Sequence, residues 1–230
     1  MNAKCLTQAE LEFLETNFSY LPTIDEHNYT IKALSNDSIQ QGLPALQAAY
    51  GASHPYVTAS LLSRSLSYML VLPSFAMYIW YGKQWLPNLK DITLAYEPAS
   101  FAMKWSAPVS TLSAAVPSST ALFMDDAIAH IDLLWDIFKT TCKMPDRLLW
   151  ENAAAYLSWY LNTAIPQSEG ASEDVRQRAN AVKDWLLTNP SSPYAQMENR
   201  ITDGYRKSCC LYTKVDLDKR SCGNCPILAS

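Results

Sequence analysis

Four of the six cysteines fall within seventeen residues near the end of the chain, as Cys209-Cys210 and then Cys222-Gly223-Asn224-Cys225. The spacing, C-C-x11-C-x2-C, constrains the backbone more than any other stretch. Four thiolates converging from one short segment are the ligand set of a tetrahedral zinc or of an iron–sulfur cluster, and a C-x2-C turn lets two sulfurs reach one metal. The adjacent pair is harder to place. Neighbouring side chains of an extended chain point to opposite faces, so Cys209 and Cys210 meet at one ion only where the backbone turns irregularly. A two-iron cluster relaxes that demand, because each iron needs two protein sulfurs. The spacing therefore favours [2Fe–2S] over mononuclear zinc, with redox-active thiols as a third reading.

The remaining two hundred residues are core-building sequence. With 49% hydrophobic and 17% charged residues, a chain of this length buries a sizeable core without disulfides. A net charge of −4 argues against nucleic-acid binding, which shows as a basic domain. Charge is nevertheless uneven, since residues 200–222 carry six basic side chains (Arg200, Arg206, Lys207, Lys214, Lys219, Arg220) against three acidic ones. Such a patch raises the potential of a nearby redox centre and attracts anionic partners; ordinary solvation of a surface loop explains it equally well. Glu10, Glu12 and Glu15 interrupt what a secretory signal would need, so a cytoplasmic location is expected, where clustered cysteines bind metals more often than they form disulfides. Leu66 to Trp80, the most apolar stretch, is broken by Pro73 and falls short of the ~20 residues of a spanning helix. It reads as a buried helix, leaving at most peripheral contact with an inner membrane.

Thr7-Gln8-Ala9-Glu10 fits a capping box, with Leu6 and Leu11 placed as a hydrophobic staple. Leu11, Leu14 and Phe18 continue the helix, Tyr29-Thr30-Ile31 suggests a short strand, and a second helix over 39–50 stops at Gly51. His54, ahead of Pro55, reads as a helix cap before a ligand or base. Tyr56 to Trp80 reads as two helices or one kinked at Pro73. Ile92–Tyr96 and Phe101–Trp105 alternate with period two about Glu97-Pro98-Ala99-Ser100, as an antiparallel hairpin does. Residues 109–119 are uncharged and rich in Ser, Ala and Pro, a loop that divides the chain into two lobes. Ile128, Ile131, Trp135 and Phe138 mark the next helix, whose Asp126 and His130 share a face as a solvated pair or, less commonly, as metal ligands. Asp146 caps a helix to about Ala164 whose Trp150, Tyr156, Trp159 and Tyr160 serve as core or as the wall of a ligand cleft. A further helix is expected over 173–189, stopped by Asn189-Pro190-Ser191-Ser192-Pro193, and a last one over 196–205.

The fold class these patterns imply is α+β, predominantly helical, with a small antiparallel sheet packed with helices and a cysteine-rich C-terminal segment. Three parts are expected, as separate units or within one compact domain: residues 1–108, a helical lobe with the hairpin; 109–200, a second helical lobe; and 201–230, the cluster-binding segment. The chain contains no internal repeat, glycine-rich phosphate loop, nucleophile elbow or His-Glu-x-x-His motif.

Arg206-x-x-Cys209-Cys210 followed by Cys222-Gly-x-Cys225-Pro226, at the C-terminus of a mostly helical chain of this length, resembles the siderophore-iron reductase family typified by FhuF. That resemblance implies a [2Fe–2S] cluster on Cys209, Cys210, Cys222 and Cys225, and one-electron reduction of a ferric siderophore, a hydroxamate above all, in the cytoplasm. It implies an electron donor of unidentified kind. The family pattern has ten residues where this chain has eleven between Cys210 and Cys222, a difference of small entropic cost. Upstream, the likeness is one of length and helix-rich pattern. Reduction suits the chemistry, because hard siderophore oxygens hold Fe(III) more firmly than Fe(II). Cys5 and Cys142 are then spectators, and no side chain acts as acid or base. Two alternatives come from other classes, a [2Fe–2S] electron carrier without a siderophore site and a zinc-stapled structural or interaction protein.

Overall fold

The first helix, α1 (Gln8–Phe18), is entered as its residues dictate: Thr7 Oγ1 accepts from the Glu10 N–H while the Glu10 carboxyl accepts from the Thr7 N–H at 2.8 Å. Its inward residues Leu11, Leu14 and Phe18 are buried. The computed structural model of the chain describes residues 4–25, 29–98, 100, 102–198, 201–202, 205–206, 208, 210–211 and 214–215. Strand β1 (Lys4–Cys5) precedes α1, and β2 (Thr30–Lys32) follows it. Helix α2 (Asn36–Tyr50) begins three residues before its expected start, because Ser35 and Ser38 form a second reciprocal cap; Gly51 ends it at φ 60°.

Helix α3 (Pro55–Leu66) opens with His54 as its cap, the imidazole Nδ1 accepting from the Tyr56 N–H at 3.1 Å. The path then runs unbroken through a π turn (Ser67–Val71) into α4 (Leu72–Tyr81). A proline in a regular α-helix removes one N–H and collides with the carbonyl four residues back. Just ahead of Pro73 the Leu72 N–H instead reaches the Ser67 carbonyl, five residues back, and the inserted residue resets the helix. The expected choice between two helices and one kinked helix thus resolves as one path with a register change.

The expected hairpin is β3 (Thr93–Glu97) against β4 (Ala102–Ser106), in register Leu94↔Trp105 and Tyr96↔Met103, and β2 adds a third antiparallel strand in the order β2-β3-β4. Trp105, fully buried, donates its indole N–H to the Phe18 carbonyl at 2.8 Å, tying the sheet to the end of α1. Residues 109–119 hold a 3₁₀ turn (Val109–Thr111) and β5 (Ser113–Ala114), which pairs with β1.

Helix α5 (Thr120–Cys142) buries Ile131, Trp135 and Phe138, and α6 (Asp146–Trp159) follows it. Asp146 is the first helical residue, where it meets Lys139 at 3.2 Å. A second π turn (Tyr160–Ala164) leads into α7 (Ile165–Gln167), again immediately before a proline, Pro166. Helix α8 (Glu173–Thr188) is capped by Ser172. The helix expected over 196–205 is corrected: α9 spans Pro193–Glu198, and β6 (Ile201–Thr202) pairs antiparallel with β7 (Tyr205–Arg206). Pro193 starts a helix instead of ending one, since a first-turn residue has no helical partner for its N–H. The β-branched and aromatic residues on either side of Asp203-Gly204 favour a hairpin. The protein is therefore a predominantly helical α+β fold with small antiparallel sheets.

Candidate functional site

The chain beyond β7 is held by two helices of the core. Helices α3 and α6 run side by side in the same sense, since Ser63 meets Asn152 and Tyr68 meets Tyr156 further along both. Against their N-terminal halves lie Ser208 and Cys210. The Ser208 N–H donates to the Glu151 carboxyl at 2.6 Å, and the Ser60 hydroxyl donates to the Cys210 carbonyl at 3.0 Å. Cys210, Ser60 and Glu151 are all fully buried. The backbone turns immediately afterwards: Leu211 has φ 65°, the Lys214 N–H closes a turn on the Leu211 carbonyl, and Val215 bridges to Ala52.

A short polar chain supports this anchor. Ser60 gives its carbonyl to the Ser63 hydroxyl at 2.9 Å, and Ser63 in turn accepts from the Asn152 amide at 3.1 Å and gives its own carbonyl to the Ser67 hydroxyl. Buried serines bonded back to the preceding turn satisfy themselves and keep the helix surface narrow. Polar groups without solvent must be paired in this way.

Of the four expected ligands, Cys210 is placed as described, and Cys209, Cys222 and Cys225 lie outside the described residues. Cys5 is exposed on β1, and Cys142 is half-buried at the end of α5, where burial pushes its thiol pKa up. Asp126 accepts from the Gln84 amide at 2.9 Å, and burial lowers the pKa of His130. Among the described residues no three His, Cys, Asp or Glu side chains gather at one point. Ser60, Glu151 and Asn152 were not among the expected functional residues. Their signal is a serine stripe at 60, 63, 67 and 74, spaced as one helix face, and a polar pair inside Leu148-Leu149-Trp150-Glu151-Asn152-Ala153-Ala154.

Further along the same helices, a cavity of ≈ 210 Å³ opens between α1, α4 and the continuation of α6, with Phe13, Tyr68, Trp80, Trp159 and Tyr160 in its wall. Of the four aromatic residues on α6 and its continuation, Trp159 and Tyr160 line this cavity, Trp150 is buried in the core, and Tyr156 packs on Tyr68 at 5.5 Å between ring centroids.

Fold and site define a class, a helical α+β scaffold that seats a cysteine-bearing C-terminal segment on one buried and one partly buried polar contact. The chain belongs to the FhuF-like family: the family model described as ferric iron reductase FhuF-like transporter matches residues 60–204. No curated protein matches the chain. The matched span begins at Ser60 within α3, includes α6 and the aromatic cavity's α4 and α6 walls, and ends before Cys209. The upstream scaffold thus carries the family likeness that the cysteine spacing alone suggested. Membership indicates ferric iron reductase-type chemistry with ferric iron as substrate. Among the described residues no helix is long and apolar enough to cross a membrane.

Proposed function

We propose that the protein is a ferric-siderophore reductase that frees siderophore-bound iron in the cytoplasm by adding one electron to Fe(III), with Cys209, Cys210, Cys222 and Cys225 holding a [2Fe–2S] cluster. The observation that carries this reading is the attachment of the cysteine segment to the family-matched scaffold, through Ser60 to Cys210 and through Glu151 to Ser208. When bound, the cluster supplies a one-electron carrier at a potential set by burial, hydrogen bonding and nearby charge. The chain's own residues prepare the place for it. Ser60 holds Cys210 by its backbone carbonyl, so that contact does not use the thiol. Leu211, at φ 65°, turns the chain immediately after Cys210.

Ferric siderophore of the hydroxamate type is the proposed substrate, and a separate electron donor returns the electron. Reduction weakens the hold of hard oxygen ligands on the iron, so no side chain is required as acid or base. The basic residues around the cysteines are a docking patch for an acidic donor.

The anaerobic visible and EPR spectra of the purified full chain, before and after dithionite, test the reading. A two-iron signal that appears on reduction and is discharged by ferric trihydroxamate is the expected result. A colourless protein carrying zinc, or reconstituted protein with no such signal, overturns it. A coloured, pre-reduced protein that leaves ferric hydroxamate untouched is an electron carrier instead.

A further inference from the structure

We propose that the aromatic cavity between α1, α4 and the continuation of α6 is a binding site for one uncharged, carbonyl-bearing arm of the ferric chelate. The identity of the ligand rests on the reductase reading; the site itself rests on the geometry below.

Both π turns deliver a tyrosine to this cavity, Tyr68 from the first and Tyr160 from the second. Such turns break helical register at a cost and recur at functional sites. Phe13 of α1 and Trp80 of α4 pack against each other in its wall, with ring centroids 6.2 Å apart. Trp159, 49% exposed, forms the rim. No formally charged side chain stands among the described residues of the wall. An anionic group pressed against that wall would lose its hydration without gaining a counter-charge. A neutral arm of methylene and amide or hydroxamate units loses far less.

Tyr160 adds a directed polar contact. Its oxygen accepts from the Trp80 indole N–H at 2.7 Å, and its own hydroxyl hydrogen has no acceptor among the described residues, although the residue is 7% exposed. A buried hydroxyl with an unused donor is fit to meet a carbonyl oxygen. Burial raises its pKa, so it keeps that proton.

Size decides how much of a ligand enters. Cavities that enclose a whole drug-sized molecule are roughly 300–1,000 Å³, and this one is ≈ 210 Å³. One arm fits, and the metal stays at the mouth beside Trp159. Tyr68 lies eight residues beyond Ser60 on the same helical path, an axial distance of about 12 Å. The same pair of helices therefore carries the cysteine segment and the arm site.

The test is calorimetric titration of the full chain with gallium(III) trihydroxamate, which mimics the ferric complex but accepts no electron. Saturable binding is expected, weakened about tenfold by Trp159→Ala and about threefold to tenfold by Tyr160→Phe, and unchanged by Leu133→Ala on the exposed face of α5. Gallium tris-catecholate, a trianion, should bind at least about tenfold more weakly. Failure of the unaltered chain to bind gallium trihydroxamate, or equal affinity in both cavity variants, overturns the proposal. Because gallium is not reduced, the outcome is independent of the cluster. A chain that binds gallium trihydroxamate but forms no cluster would sink the reductase reading alone. A chain that reduces the ferric complex while both variants bind normally would sink the arm site alone.

Discussion

The hydroxyl of Ser60 donates to the carbonyl of Cys210 at 3.0 Å, joining two fully buried residues 150 positions apart in the chain. Ser60→Ala removes that donor from a buried contact, at a cost of about 1–3 kcal/mol. Because the contact holds the end segment and not the helical core, the loss should appear as local opening. The measurement is the labelling rate of Cys210 by a thiol reagent in the metal-free chain, read by mass spectrometry. Labelling should rise at least about tenfold while the global unfolding midpoint shifts little. Equal labelling rates would remove Ser60 from the anchor.

Glu151 and Ser208 allow a graded test of the second anchor. Glutamine at 151 keeps the volume and an acceptor oxygen for the Ser208 N–H, whereas alanine removes the acceptor and opens a cavity. Glu151→Ala should cost about 2–4 kcal/mol and Glu151→Gln about 1 kcal/mol, by urea unfolding of the full chain. Iron bound per chain after reconstitution should fall in the same order. A glutamine variant as damaged as the alanine one would mean that the charge, not the hydrogen bond, matters there.

Locally encoded features were legible in the residues. The Thr7–Glu10 capping box, the Gly51 stop, the His54 cap, the β3–β4 hairpin and the buried face of α5 all depend on neighbours within a few positions, and each stands where its pattern put it. The π turns were not legible. Pro73 and Pro166 announce a break, but whether the chain kinks or inserts a residue depends on what the next turn packs against. Pro193 misled for a related reason, since proline ends one helix and begins another with equal ease. The anchors were hidden differently. Serine in a helix ordinarily faces water, and only the approach of α6 and of the chain beyond β7 makes Ser60, Ser63 and Glu151 buried partners. Such pairing across 57 or 150 positions leaves no local trace beyond the spacing of the stripe.

Gly42 sets two effects against each other. It lies inside α2, where alanine gains about 1 kcal/mol of helix propensity, yet a Cβ there would stand 2.5 Å from Ile31 Cγ1 and 2.9 Å from its Cδ1. Ile31 is buried in β2, and forcing such a side chain aside costs about 1–3 kcal/mol. Gly42→Ala should therefore lower stability by about 1 kcal/mol net, measured as the urea midpoint. In an Ile31→Ala background the penalty should vanish and the propensity gain emerge. A rise in the midpoint for Gly42→Ala alone would show that Ile31 yields freely.

Glu10 couples stability to pH. It is 3% exposed, pairs with Lys83 beyond the end of α4, and accepts from the Thr7 N–H. Burial alone would raise its pKa, but the Lys83 ammonium and the Thr7 hydrogen bonds together outweigh it and hold the carboxyl below its ordinary value of 4.5. A carboxyl depressed in the folded state stabilises fully above its unfolded pKa, and that contribution is lost as pH falls through the folded value. Glu10→Gln should cost about 2 kcal/mol near neutral pH, and the gap from the unaltered chain should close in acid. Urea midpoints at both pH values measure it; a gap that stays constant would mean the ion pair contributes nothing. The pair also fastens α1, which carries Phe13, to the end of α4, which carries Trp80. Gallium trihydroxamate binding should therefore weaken in Glu10→Gln at neutral pH even though Glu10 is not in the cavity wall.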